Sequence, residues 1–131
     1  MRVLLIVPHP VRARALARGL AEEGWAVTAA PSREAGDREA RAGGHDAIIL
    51  DTKRAGEDDL ALLGRWRRVG LRAPVLALTT AGGGPGGGSP FAGAADASLA
   101  KPFAWDELLA RLRRLTRRRG RPALSPAVPC P

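Results

Sequence analysis

Four short apolar runs frame this chain: residues 2–7, 47–50, 75–78 and 97–100. Each has the length of a strand, and their nearly unbroken apolar character is that of strands covered on both faces. Each also ends abruptly at a polar or turn-forming residue, in order Pro8-His9, Asp51, Thr79 and Lys101. A fifth run, residues 25–30, reads as another strand.

Helical periodicity fills the gaps. In residues 11–23, Ala13, Leu16, Ala17 and Leu20 fall at i, i+3, i+4 and i+7, with Arg14, Arg18 and Glu22 opposite and Gly24 as the stop. Ser32 is placed to cap a weaker helix to residue 42, which Gly43-Gly44 ends. Asp58 or Asp59 is expected to cap a helix to about Val69, with Leu62 or Leu63, Trp66 and Val69 facing inward. The clearest helix places Trp105, Leu108, Leu109, Leu112 and Leu115 on one face, with Asp106 and Glu107 in its first turn and arginines in its last. Strand and helix alternating at this spacing predict βαβ units, a parallel sheet and right-handed crossovers.

One helix is missing from the pattern. Residues 81–90 read Ala-Gly-Gly-Gly-Pro-Gly-Gly-Gly-Ser-Pro. Each glycine costs about 1 kcal/mol and a proline about 3 in a helix interior, so this segment is no helix. It is no phosphate-binding loop either, since Gly-Lys-Ser/Thr opening a helix is absent. A mobile loop over residues 82–88 is expected.

Composition narrows the class. With 131 residues there is chain enough for one domain with a real core. The longest apolar run is too short for a membrane span or a signal sequence, and the lone Cys130 has no disulfide partner, so a cytoplasmic location is expected. The net charge of +8 is concentrated in residues 111–121, where seven arginines fall. Such a run can contact nucleic acid or an acidic protein surface, but no aromatic residue interleaves with the arginines to stack on bases, which favours a solvated helix face. Within that face Arg111, Arg113, Arg114 and Arg118 are candidate contact residues. Residues 1–119 are read as the folded unit and 120–131, proline-rich and aperiodic, as a disordered tail.

In an open parallel sheet, chemistry gathers at the carboxyl ends of the strands. If the apolar runs lie side by side, Asp51, Thr79, Lys101 and His9 line one crevice. In their order and spacing, Arg2-Val3-Leu4-Leu5-Ile6, Ala15-Leu16-Ala17-Arg18-Gly19-Leu20, Asp46-Ala47-Ile48-Ile49-Leu50-Asp51, Pro74-Val75-Leu76-Ala77-Leu78-Thr79, Lys101-Pro102-Phe103 and Glu107-Leu108-Leu109-Ala110-Arg111-Leu112 resemble a response-regulator receiver domain of the OmpR/PhoB-like group. The resemblance implies a flavodoxin-like (CheY-like) doubly wound α/β fold with a five-stranded parallel sheet in the order 2-1-3-4-5, its fourth helix missing or disordered. It implies Asp51 as phosphoacceptor, Thr79 as the hydroxyl contacting the phosphoryl group and Lys101 as the neutralising ammonium.

The departures are specific. The family's two adjacent acidic residues after the first strand hold Mg²⁺; here that place is Val7-Pro8-His9. Mg²⁺ wants oxygen ligands, so no cofactor is expected. Ser98 stands where the family usually has a switching aromatic residue. His9 reads as a solvated loop histidine that Pro8 and Pro10 aim outward; if it points inward instead, it would put a protonated imidazole beside Asp51 in the metal's electrostatic place. The expected function is that of a pseudo-receiver, not an enzyme, acting by protein contact with metal-dependent phosphorylation of Asp51 impaired or absent. The alternative is a phosphorylatable two-component response regulator, either free-standing or the receiver part of a DNA-binding transcriptional regulator. Partners left open are a histidine kinase, another response regulator and a second copy forming a weak homodimer; no membrane contact is expected.

Overall fold

In the computed structural model, which describes residues 1–51, 57–79, 96–101 and 103–120, the elements follow the predicted alternation. They are β1 (Arg2–Ile6), α1 (Pro10–Glu22), β2 (Ala26–Ala30), α2 (Arg33–Ala42), β3 (Ala47–Asp51), α3 (Glu57–Arg68), β4 (Val75–Thr79), β5 (Ala97–Ala100) and α4 (Trp105–Gly120). The strands pair in parallel in the order β2-β1-β3-β4-β5. The expected fold class is therefore observed, with four helices among the described residues. The glycine-rich segment and residues 121–131 lie outside the described residues, and so does the mobility expected of 82–88.

Strand alternation divides the core into two layers. Val3, Leu5 and Val7 point with Ala47, Ile49, Leu76 and Leu78 toward α1 and α4, where Leu16, Leu20, Leu108 and Leu112 close the layer. Leu4, Ile6, Ile48, Leu50, Val75 and Ala77 point the other way, toward α2 and α3, and meet Ala40, Leu62, Leu63 and Trp66. Both sides of β3 are thus covered, which is why its run carries no polar residue before Asp51.

Helix packing is close where glycine permits it. A Cβ on Gly36 of α2 would lie 2.5 Å from the Ile6 side chain, so α2 sits on β1 only because that position has none. On the other face the Trp105 ring covers Gly19 of α1, where a Cβ would approach within 2.7 Å. Gly24 ends the α1 turn at φ +95, a left-handed conformation that other residues rarely adopt.

Two expectations need correction. Asp58 and Asp59 lie inside α3, which starts at Glu57, because the helix begins earlier than its acidic pair suggested. Val69 is 57% exposed, since α3 ends at Arg68 and the chain turns at Gly70; Leu71 packs on the core in its stead. No helix among the described residues is long and apolar enough to cross a membrane.

Carboxylates tie the elements together at several points. Trp66 donates from its indole Nε1 to Asp37 at 2.7 Å, joining α3 to α2. Burial alone would raise the Asp37 carboxyl. The Trp66 hydrogen bond and the Arg41 and Arg65 cations outweigh that and hold it below its ordinary value of 3.8. At the amino end of the sheet, Asp96 Oδ2 accepts from Val75 N at 2.8 Å and from Arg67 Nη2 at 2.7 Å. Arg67 also donates to the Leu71 and Ala73 carbonyls, fastening the loop that follows α3.

Candidate functional site

The site forms at the carboxyl ends of β3, β4 and β5. Asp51, last residue of β3, stands in register with Leu78, and Thr79 stands in register with Ala100. Lys101 follows β5 and extends the ladder by one bond, its N–H donating to the Thr79 carbonyl at 2.8 Å. That bond aims the lysine back over the sheet. Its Nζ donates to Asp51 Oδ1 at 2.5 Å, across a sequence separation of 50 residues. Asp51 and Lys101 are therefore brought together as expected, with Thr79 half-buried at the neighbouring strand end.

The second carboxylate oxygen meets a residue that sequence reasoning missed. Arg12 Nη1 donates to Asp51 Oδ2 at 2.9 Å. The aspartate side chain is 4% exposed, whereas that of Arg12 is 41% exposed, so the guanidinium enters the crevice from the solvent side. Together the carboxylate, the guanidinium and the ammonium sum to a formal +1. A buried carboxylate in such company has its charge compensated and an oxygen engaged on either side.

His9 does not point inward, in keeping with the reading of it as a solvated loop residue. It is exposed, and it serves as the N-cap of α1, its Nδ1 accepting the backbone N–H of Arg12 at 3.2 Å. A ring nitrogen that accepts a hydrogen bond carries no proton, so the imidazole is held by the helix start and not by Asp51. Pro8 is exposed beside it and Val7 is buried in the core. The cation arises three residues later. A signal for it existed: Arg12 stands in the first helical turn, where a positive charge opposes the macrodipole and no acidic residue is present.

The arginine face of α4 is partly engaged. Arg111 donates to the Ser98 carbonyl at 3.0 Å and pairs with Glu107, while Arg113 reaches Glu23 beyond α1 at 3.0 Å. Arg114 is exposed, and the side chain of Arg118 lies outside the described residues. Among the described residues no group of three or more His, Cys, Asp or Glu side chains is placed to hold a metal ion.

Strand order alone admits many doubly wound proteins. A buried aspartate closing the central strand, answered by a lysine just past β5, narrows the class: the chain is a response-regulator receiver domain. Sequence comparison agrees. The transcriptional regulatory protein TcrA of Mycobacterium tuberculosis is 40% identical over 119 residues, which is 90% of this chain and 47% of that protein. The transcriptional regulatory protein PmrA of Pectobacterium parmentieri is 36% identical over 118 residues, 90% of this chain and 53% of that protein. The chain thus spans about half the length of these curated relatives. Among solved structures, the response regulator TrrA of Thermotoga maritima is 27% identical, with 87% of this chain and 97% of that chain covered. It superposes with a TM-score of 0.72 as seen in complex with the histidine kinase ThkA, and 0.70 as seen with Mg²⁺-BeF. No family model matches the chain.

Proposed function

We propose that this chain is a pseudo-receiver: a cytoplasmic receiver domain that signals by protein contact, with Mg²⁺-dependent phosphorylation of Asp51 impaired or absent. One observation carries the reading. Both Asp51 oxygens are engaged by cations of the chain itself, Lys101 on one and Arg12 on the other. Phosphorylation requires a carboxylate oxygen to attack phosphorus in line while the donor's leaving oxygen departs with its bonding electrons. Here an oxygen must first give up a buried ion pair.

The donor set supports the same reading. Mg²⁺ takes six oxygens in near-ideal octahedral array, usually keeping several waters and adding one or two carboxylates. Asp51 is the one carboxylate among Val7, Pro8, His9 and the crevice residues Thr79 and Lys101. These residues do not fit the ion. The partner in this reading is a histidine kinase or another regulator, as TrrA was seen with ThkA, engaged through the exposed helix faces without turnover.

The second reading keeps phosphotransfer and makes the chain the receiver part of a DNA-binding transcriptional regulator. The observation favouring it is the relatives themselves, both named transcriptional regulatory proteins and about twice as long as the matched stretch. Intact-mass measurement after incubation with acetyl phosphate and Mg²⁺ separates the two. The pseudo-receiver stays unmodified. A rapid, stoichiometric gain of one phosphoryl group, dependent on Mg²⁺ and lost in Asp51→Asn, overturns the pseudo-receiver and supports the phosphotransfer of the second reading.

A further inference from the structure

We propose that Arg12 is the crevice's resident cation: its guanidinium supplies the positive charge beside Asp51 that a divalent ion would otherwise supply, and it keeps such ions out. The inference deepens the receiver reading above and rests on it.

Three features of the chain point there. The first is that Arg12 violates the local rule for its position. Pro10 opens α1 and His9 caps it, so Arg12 lies in the first turn, where the unpaired N–H groups favour anions. A cation held there needs a compensating charge, and Asp51 is the carboxylate it reaches. The second is burial. With 4% of its side chain exposed, Asp51 has little water to stabilise its charge, and the guanidinium and the ammonium do so in water's place. The third is charge. The three groups already sum to +1, so a divalent ion entering beside them would raise the crevice to +3 within a few ångströms, unless Arg12 leaves. Because Arg12 is 41% exposed, it has an outward path, and occupancy becomes an exchange of one cation for the other. Arginine is also the side chain whose charge does not titrate away, so this occupant persists across the working range of pH. A protonated histidine in the same place would not.

Removing Arg12 alone leaves one carboxylate, which is too few oxygens for a tight site. The test therefore adds a second. His9→Asp places a carboxylate just after β1 and preserves capping, because aspartate is among the preferred N-cap residues. The probe is Mn²⁺, read by paramagnetic broadening of the Val7 and Asp51 amide signals. The wild type and His9→Asp are expected to show no selective broadening at millimolar Mn²⁺. His9→Asp combined with Arg12→Ala is expected to bind at least about tenfold more tightly than His9→Asp, since one unit charge has been taken from the ion's immediate surroundings. His9→Asp combined with Arg12→Lys, which keeps the charge, is expected to remain as weak as His9→Asp. Equal binding by His9→Asp with and without Arg12, no binding by the Arg12→Ala double variant, or tight binding by the Arg12→Lys one overturns the inference.

A measurement on the wild type guards against a double variant that fails to fold. The Arg12 guanidinium NMR signals should show slow rotation, and Mn²⁺ should leave them unchanged; their release by Mn²⁺ overturns the inference as well. The two readings fail separately. A wild type that accepts phosphate while Mn²⁺ stays out refutes the pseudo-receiver and leaves Arg12 as the resident cation. Mn²⁺ entering the wild-type crevice with no phosphoryl gain does the reverse.

Discussion

The two ends of the sheet use the same chemistry under opposite conditions. At the carboxyl end, Asp51 holds Arg12 and Lys101 with 4% of its side chain exposed. At the amino end, Asp96 holds Arg67 and the Val75 N–H with 40% exposed. A list of contacts makes them equivalent. Solvent makes them different, because an exposed carboxylate that loses its partner is rehydrated and a buried one is not. The amino end is therefore a fastening, and the carboxyl end is a charge balance on which the core depends.

The sharpest way to break this comparison is Lys101→Met. It leaves the buried Asp51 with Arg12 alone, and the unfolding free energy is expected to fall by about 3 kcal/mol, as for other broken buried pairs. Urea denaturation measures it through a lowered midpoint at unchanged slope. A loss under about 1 kcal/mol, the size of an exposed pair, would mean that water reaches Asp51 after all. Next comes Asp96→Ala, which removes the acceptor of Val75 N and the partner of Arg67. About 1–2 kcal/mol is expected, part of it disappearing in high salt because the ion pair is exposed.

Asp37 sharpens the comparison as an intermediate case, its side chain 27% exposed and held by Trp66 and Arg41. Asp37→Asn keeps an acceptor for the indole and is expected to cost about 0.5–1 kcal/mol near neutrality. Its pH signature is the better readout. Since the folded carboxyl lies below 3.8, the unfolded chain binds the proton first as pH falls. The stabilisation is complete above that value and is lost below it, as pH passes down through the folded one. Asp37→Asn should flatten the acid limb of the stability profile, measured by urea midpoints between neutrality and the acid transition.

Periodicity made the fold readable, for a simple reason. The runs at 47–50 and 75–78 carry apolar residues on both faces, and a chain that must cover both faces leaves a pattern no surface element would show. Asp51 and Lys101 were readable because abrupt polar ends to such runs fall on one edge of a parallel sheet. Arg12 was missed, because a long flexible side chain acts far from its own Cα and the one signal for it, a cation in a helix first turn, does not say which carboxylate it reaches. His9 follows the strand end closely in sequence yet stays outward, because the helix start claims its ring nitrogen. Val69 shows the limit of periodicity at a helix end, where the turn at Gly70 breaks the register that the apolar spacing implied.

The division of the core into two layers has an optical consequence. Trp66 is buried between α2, α3 and one face of the sheet, while Trp25 and Trp105 belong to the layer on the other face. The sheet is thus a partition between fluorophores. Emission from a chain retaining Trp66 alone reports the melting of one layer, and emission from a chain retaining Trp25 and Trp105 reports the other. Superimposed transitions identify the sheet as a single cooperative unit, and separated ones locate the layer that loosens first.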